Sequence, residues 1–207
     1  MNPLKLVSAV HGLFVRGGRV ERLVDAVAKQ CATGPHKILD IGCGDGQIAA
    51  GLARTLGDDC RISGIDVMLR PQSAIEVAEY DGKTIPFEDD SFDTVLLIDV
   101  LHHAEDPALL LKEAARVAGG CVIVKDHLCE SRTDKRLLSF MDWVGNRPSG
   151  VRLEYNYLSS AAWDECIAAA GLVREFYTTD VKLYRWPLSM IFHRRMHVLM
   201  KLTAGGD

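Results

Sequence analysis

Short runs of aliphatic residues alternate along the chain with stretches whose apolar residues recur at helical spacing. The runs predict strands at residues 37–41, 61–66, 75–80, 94–99, 121–126, 173–179 and 196–202. Helical spacing predicts crossover helices at 47–56 and 108–117. The run 95–98 is apolar on both faces, as in strands that helices cover on both sides. The pattern therefore predicts an α/β fold with a buried, mostly parallel sheet.

Two further segments give weaker signals. Residues 4–32 are helical in pattern, with a predicted break at Gly17–Gly18, and they precede the first strand. Residues 132–160 contain Asn146, Pro148 and Gly150, and we expect them to be irregular. No repeat or low-complexity linker divides the chain.

Composition narrows the class of protein. The 207 residues are 48% hydrophobic and 25% charged, which predicts a single globular domain. The net charge of −4 gives no positive field for nucleic acid, which we do not expect as a partner. No apolar run approaches the ~20 residues of a membrane span, and the first residues do not resemble a secretory signal. Six cysteines without paired spacing predict reduced thiols and a cytoplasmic location.

The strongest local motif is a glycine-rich turn directly after the first strand. Asp40 is followed by Gly42, Gly44 and Gly46, and a helix is predicted to begin at Gln47. Glycine permits positive φ and close approach of a ligand, and a helix N-terminus offers free N–H groups to an anion. The dinucleotide fingerprint needs glycine or alanine where Gln47 stands, which argues against a nicotinamide or flavin dehydrogenase.

Further polar residues follow the next strands in order. Asp66 ends the second strand, where a carboxylate accepts hydrogen bonds from ribose hydroxyls. Asp81-Gly82 follows the third strand, and Asp99 with His102-His103 follows the fourth.

From residue 37 to about 126 these motifs resemble class I S-adenosylmethionine-dependent methyltransferases, in the small-molecule, ubiquinone/menaquinone-biosynthesis-like group known as methyltransferase type 11. The resemblance implies a Rossmann-like, doubly wound sheet of seven strands with helices on both faces. The last strand is expected to be antiparallel and to lie between the fifth and sixth. The resemblance also divides the single domain 1–207 into four parts. These are the N-terminal helices or lid (1–33), the cofactor-binding core (34–130), the variable substrate insert (131–160) and the C-terminal helix and strands (161–207).

The resemblance also implies S-adenosylmethionine as cofactor and assigns its contacts. The glycine turn is expected to hold the methionine part and the ribose side, Asp66 the ribose, and Val67 the adenine face. Asp81 and Gly82 are expected to read the adenine edge, and the backbone of residues 98 and 99 to meet the methionine amino group. The expected cofactor-binding residues are Asp40, Gly42, Cys43, Gly44, Asp66, Val67, Asp81, Gly82, Ile98, Asp99 and His103.

Methyl transfer needs positioning first, and a general base helps only where the acceptor is a hydroxyl. The candidate catalytic residues are His127, Asp126 and His103 at the carboxyl ends of strands four and five. The alternative for His103 is packing or capping at a helix start near the cofactor, and packing remains an alternative for His127. We expect no metal site, because the adjacent histidines 102 and 103 should point in different directions and no carboxylate spacing supports one.

The expected function is methyl transfer to a small, hydrophobic molecule, with S-adenosylhomocysteine released. The alternatives are a non-catalytic S-adenosylmethionine-binding partner or regulatory protein and, with less support, a macromolecular methyltransferase. Aromatic residues in 132–160 are expected either to cover the acceptor or only to pack. For the basic stretch 181–206 we favour the interpretation that its arginines lie on an ordinary protein surface. The alternative is weak peripheral contact with a membrane. The acceptor and the oligomeric state stay open.

Overall fold

A seven-stranded β-sheet organises the chain in a computed structural model that describes residues 17–146, 154–183 and 195–206. The strands are β1 (His36–Ile41), β2 (Cys60–Asp66), β3 (Val77–Glu79), β4 (Phe92–Ile98), β5 (Ala118–His127), β6 (Leu172–Thr178) and β7 (His197–Ala204). Their order is β3-β2-β1-β4-β5-β7-β6, and β7 runs antiparallel to both β5 and β6. The other neighbouring strands are parallel, so the predicted sheet and the place of its last strand are confirmed.

Helices cover both faces of this sheet. They are α1 (Gly17–Ala28), α2 (Gln47–Leu56), α3 (Pro107–Val117), α4 (Arg132–Asn146) and α5 (Ser160–Ala169), with a short 3₁₀ helix at Leu101–His103. Leu39 and Ile41 of β1 belong to the core with α3 and α5, whereas Ile38, directly before them, packs with α1 and α2. Because successive strand residues face opposite sides, β1 must be apolar on both.

The region 132–160, which the sequence pattern left irregular, contains a 15-residue helix, so that expectation was wrong. The hydroxyl oxygen of Ser131 accepts a hydrogen bond from the Asp134 backbone N–H at 3.1 Å and so caps α4. Leu138 is 1% exposed and fixes the buried face of the helix. Pro148 and Gly150, which are residue types that favour turns, follow α4 in the sequence. They obscured the helical spacing before them.

At the other end of the fold, α1 begins at Gly17, so the predicted break at Gly17–Gly18 coincides with a helix start. Residues 1–16 lie outside the described residues, as do residues 184–194 with much of the basic stretch. Two lysines of that stretch are paired, Lys182 with Asp180 and Lys201 with Glu175. No helix in the described part of the chain is long and apolar enough to cross a membrane.

Candidate functional site

The glycine turn lies at the edge of the sheet where the carboxyl ends of the parallel strands meet. The backbone N–H groups of Gly42 and Cys43 donate to the Ile65 carbonyl oxygen at 2.7 and 3.2 Å, which ties the turn to β2. Gly42 has φ +67°, and an added Cβ would lie 2.6 Å from Cγ2 of Val100. Gly44 has φ +60°, and no residue of the described part of the chain other than its sequence neighbours lies within 4 Å of its Cβ position, so these residues leave space for a ligand beside it.

Asp66 holds this turn from the end of β2. Its Oδ2 accepts a hydrogen bond from the Gly44 N–H at 2.8 Å, and its Oδ1 accepts from the Met68 N–H at 2.9 Å. Each carboxylate oxygen has two lone-pair sites, so each can accept one further hydrogen bond. Asp66 can therefore support the glycine turn and receive two hydroxyl groups together.

An exposed apolar side chain stands beside that carboxylate. Val67 is 56% exposed, and its Cγ1 lies 3.0 Å from the Cβ position of Gly82. Asp81 next to it accepts hydrogen bonds on Oδ1 from the backbone N–H groups of Thr84 and Lys83, which lower the pKa of Asp81. An open glycine turn, an apolar wall and two carboxylates fit a nucleoside, with its ring on Val67 and its ribose hydroxyls on Asp66.

Asp40 at the end of β1 is the buried acid of this group. Its side chain is 2% exposed, and burial together with the charge of Asp66 raises its pKa to about 7. Burial also raises the pKa of the nearby Cys43 thiol to about 12, which makes it a poor nucleophile. A cation placed beside Asp40 would favour its ionised form.

Asp99 lies at the same edge of the sheet, directly after β4, and has φ +58°. Its carboxylate pairs with Lys125 and Arg19, and its backbone N–H donates to the Lys125 carbonyl oxygen at 2.7 Å. Burial opposes ionisation, but these two cations hold the pKa of Asp99 well below its usual range. Lys125 is fully buried, and burial lowers its pKa. The preceding residue, Ile98, is 6% exposed, so any contact with a ligand involves its backbone.

Asp126 at the end of β5 organises the histidines. Its Oδ2 accepts hydrogen bonds from the Leu101 and His102 backbone N–H groups, at 2.9 and 3.4 Å, and so caps the 3₁₀ helix. Its Oδ1 accepts from His102 Nδ1 at 2.6 Å and from the His127 backbone N–H at 2.7 Å, with His127 Nδ1 at 3.3 Å. Burial favours the neutral acid, but His102 lowers the pKa of Asp126. Asp126 is thus saturated and buried, and it positions His102 and His127 instead of touching a substrate.

The side chains of His102 and His103 both face the Asp142 carboxylate on α4. His102 Nε2 lies 3.6 Å from Asp142 Oδ2, and His103 Nε2 lies 3.8 Å from Asp142 Oδ1. The two ring centroids are 4.0 Å apart. Tyr157 donates its hydroxyl hydrogen to Asp142 Oδ2 at 2.9 Å. The expectation that adjacent histidines would point apart, with no carboxylate to join them, was wrong for this pair.

The sequence motifs placed most candidate residues at this edge but missed two. Asp142 lies one helical turn after the buried Leu138, and a polar residue on the buried face of a helix was the available signal. Arg19 carried no such signal, because its partner Asp99 is 80 positions away in the chain.

Residues 39–124 match a known family, described as a methyltransferase domain. This segment of the chain is therefore similar to a methyltransferase domain. Over 117 residues it is 32% identical to the methyltransferase GfsG of Streptomyces halstedii, covering 48% of this chain and 40% of that protein. Over 144 residues it is 28% identical to the ubiquinone/menaquinone biosynthesis C-methyltransferase UbiE of Cupriavidus taiwanensis, covering 61% of this chain and 59% of that one.

Solved structures share the fold of this chain. A crystal structure of an S-adenosylmethionine-dependent methyltransferase from Aquifex aeolicus superposes with a TM-score of 0.65 at 16% identity, covering 98% of each chain. The chain spans less than two thirds of the length of the curated relatives named above. The resemblance recognised from the motifs is confirmed, and the cofactor of this family is S-adenosylmethionine.

Proposed function

We propose that this chain transfers a methyl group from S-adenosylmethionine to a small molecule, with release of S-adenosylhomocysteine. The observation that carries the proposal is the open glycine turn held by Asp66, whose oxygens each retain a free lone-pair site. This combination lies in the 39–124 segment that matches the family.

The cofactor would be held by residues from four strand ends. Asp66 accepts the ribose hydroxyls, Val67 packs against the adenine, and Asp81 with Gly82 reads the adenine edge. The remaining contacts are proposed for Asp40, Gly42, Cys43, Gly44, Ile98, Asp99 and His103. The bound cofactor supplies an activated methyl group, so the protein's work is to orient the acceptor and to exclude water.

His127 is the residue we assign as general base where the acceptor is a hydroxyl. Its Nδ1 faces Asp126 at 3.3 Å, which leaves Nε2 as the basic nitrogen. Burial lowers the pKa of His127, so the ring is neutral at pH 7 and able to accept a proton. Asp126 fixes the ring, and the buried Nδ1 of His103 has no hydrogen-bond partner among the described residues and can meet a bound molecule.

The relatives methylate different atoms, so their names do not identify the atom that this chain would methylate. Their names include a C-methyltransferase, a fatty-acid O-methyltransferase and a norajmaline N-methyltransferase. Their shared feature is a small-molecule acceptor, and this is the class that we propose.

Parallel calorimetric titrations with S-adenosylmethionine, S-adenosylhomocysteine and NAD test the cofactor. We expect the first two to bind and NAD not to bind; binding of NAD alone would overturn the proposal. Acceptors are then screened for production of S-adenosylhomocysteine. For a hydroxyl acceptor, His127→Gln should lower kcat by ~10²–10⁴-fold with cofactor affinity retained, and an unchanged kcat would remove the base assignment. Cofactor binding without turnover on any small-molecule class would favour a non-catalytic binding protein.

A further inference from the structure

Four ligand-type atoms from three residues converge near the end of β4. The Nε2 atoms of His102 and His103 face the two oxygens of Asp142 at 3.6 and 3.8 Å. Within this group, one ligand atom from each residue lies within 4.8 Å of the others. From these positions we propose that His102, His103 and Asp142 form a binding site for a divalent transition-metal ion of the Zn²⁺ type.

The distances favour a shared ion over direct hydrogen bonds. Both exceed the 2.7–3.2 Å usual for an N–H···O hydrogen bond. Two ligands on one tetrahedral Zn²⁺ lie about 3.3–3.4 Å apart, because each bond is about 2.0–2.1 Å long. The two nitrogen–oxygen distances would therefore need to shorten by only a few tenths of an ångström to reach this value.

The orientation of His102 is the second argument. Its Nδ1 donates to Asp126 at 2.6 Å, which leaves Nε2 facing Asp142 at 3.6 Å. A metal ion there would take the place of the second ring proton, which Asp126 and Asp142 favour by raising the pKa of His102 to about 10 although burial opposes it. Histidines that bind metal commonly donate their other ring N–H to a carboxylate, which fixes the tautomer and the ring orientation. Asp126 accepts such a hydrogen bond from His102.

A second grouping, His102 with Asp126 and His127, also has its ligand atoms within 4.8 Å of one another. We reject it because the 2.6 Å contact between His102 and Asp126 is too short for two atoms that share an ion. Both Asp126 oxygens also accept backbone hydrogen bonds. Asp126 therefore orients a ligand and does not serve as one.

The proposed site has the ligand set of a metal centre with an open position. Two imidazoles and one carboxylate suit Zn²⁺ and related ions, and three protein ligands leave a coordination position for water or another molecule. Tyr157 orients Asp142 through its 2.9 Å hydrogen bond. The His103 side chain is 18% exposed, whereas His102 is 3% exposed, so entry is from the His103 side.

The test measures metal binding directly and does not depend on methyl transfer. Full-length protein is stripped with a chelator, then titrated with Co²⁺ while its visible absorption is recorded, and with Zn²⁺ in competition with a chromophoric chelator. The variants are His103→Gln, Asp142→Asn and Tyr157→Phe, and His36→Gln is the control. His36 bonds Thr94 near the opposite ends of β1 and β4, so it is a half-buried histidine remote from the site. Circular dichroism and Tm show that each variant is folded.

We expect one equivalent of either ion in the wild type and in His36→Gln, with a rise in Tm on Zn²⁺ binding. Tyr157→Phe should weaken binding by ~10–100-fold, as expected for a residue that only orients a ligand. His103→Gln and Asp142→Asn should weaken it further. Three results would overturn the proposal: no saturable binding in the wild type, as when His102 carries a second proton instead; equal affinity in these two variants and the wild type; or loss of binding in His36→Gln.

Discussion

Replacement of Asp40 by asparagine tests the electrostatics of the glycine turn. Asp40 is 2% exposed, and burial together with the charge of Asp66 raises its pKa to about 7, against an ordinary value of 3.8. Between these two values the folded state binds more protons than the unfolded state, so this residue makes the free energy of unfolding fall as pH rises. The loss is complete above about pH 7.

The pKa difference gives the size of the effect. About three pKa units at 1.36 kcal/mol each correspond to a penalty of about 4 kcal/mol for the ionised carboxylate in the folded protein. Asparagine has nearly the same shape and does not ionise. We therefore expect Asp40→Asn to match the wild type near pH 4 and to be more stable by up to about 4 kcal/mol at pH 8.

Urea unfolding between pH 4 and pH 8 measures this difference directly. Asp58→Asn is the control, since Asp58 is exposed in the loop before β2. A difference between Asp40→Asn and the wild type that does not change with pH would refute the reasoning, as would a less stable variant at pH 8. Calorimetry on the same variant should show weaker binding of S-adenosylmethionine, because the cationic ligand loses an anionic neighbour.

Three other changes address the turn and its supports. Asp66→Ala should raise the Kd for S-adenosylmethionine in calorimetry by ~10–150-fold, or ~1.5–3 kcal/mol, and Asp58→Ala should not; equal affinities would remove Asp66 from the site. Gly42→Ala should lower the urea unfolding free energy by ~1–3 kcal/mol through positive φ and contact with Val100. Adding Val100→Ala should recover part of that loss, and further loss would contradict the contact. Asp106→Ala should cost ~1 kcal/mol in the same assay because its side chain caps α3, whereas Asp106→Asn should cost less; equal losses would argue against the cap.

The sheet was predictable because each strand carries its own local signal. The strands predicted at residues 37–41 and 61–66 match β1 and β2 to within one residue. Even the antiparallel β7, predicted at 196–202, was visible in apolar residues at alternate positions and in the family resemblance. The helix α4 was missed because turn residues follow it closely and its buried face is narrow.

Parts of the site depend on contacts that no local pattern encodes. The glycine turn follows β1, and Asp66 ends β2. Because these strands are parallel neighbours, their ends meet at one edge of the sheet, and the order of the motifs in the sequence was enough to predict that they lie together. Asp142 reaches His102 only through the packing of α4, which starts after the last strand of the family match. Adjacent residues such as His102 and His103 diverge along a strand or a helix, so no local pattern predicted that both rings would face Asp142.

The carboxylates of this edge show where positive charge is missing. Asp99 has Lys125 and Arg19 beside it, and Asp126 has His102, so both remain ionised although they are buried. Asp40 has no ion pair within the described ranges, and its pKa is raised. A buried acid with a raised pKa at an open glycine turn gains most from a cationic ligand, because binding removes the penalty for ionisation. The amino and sulfonium groups of S-adenosylmethionine are such cations, and the same argument disfavours NAD, whose pyrophosphate would add negative charge beside Asp40.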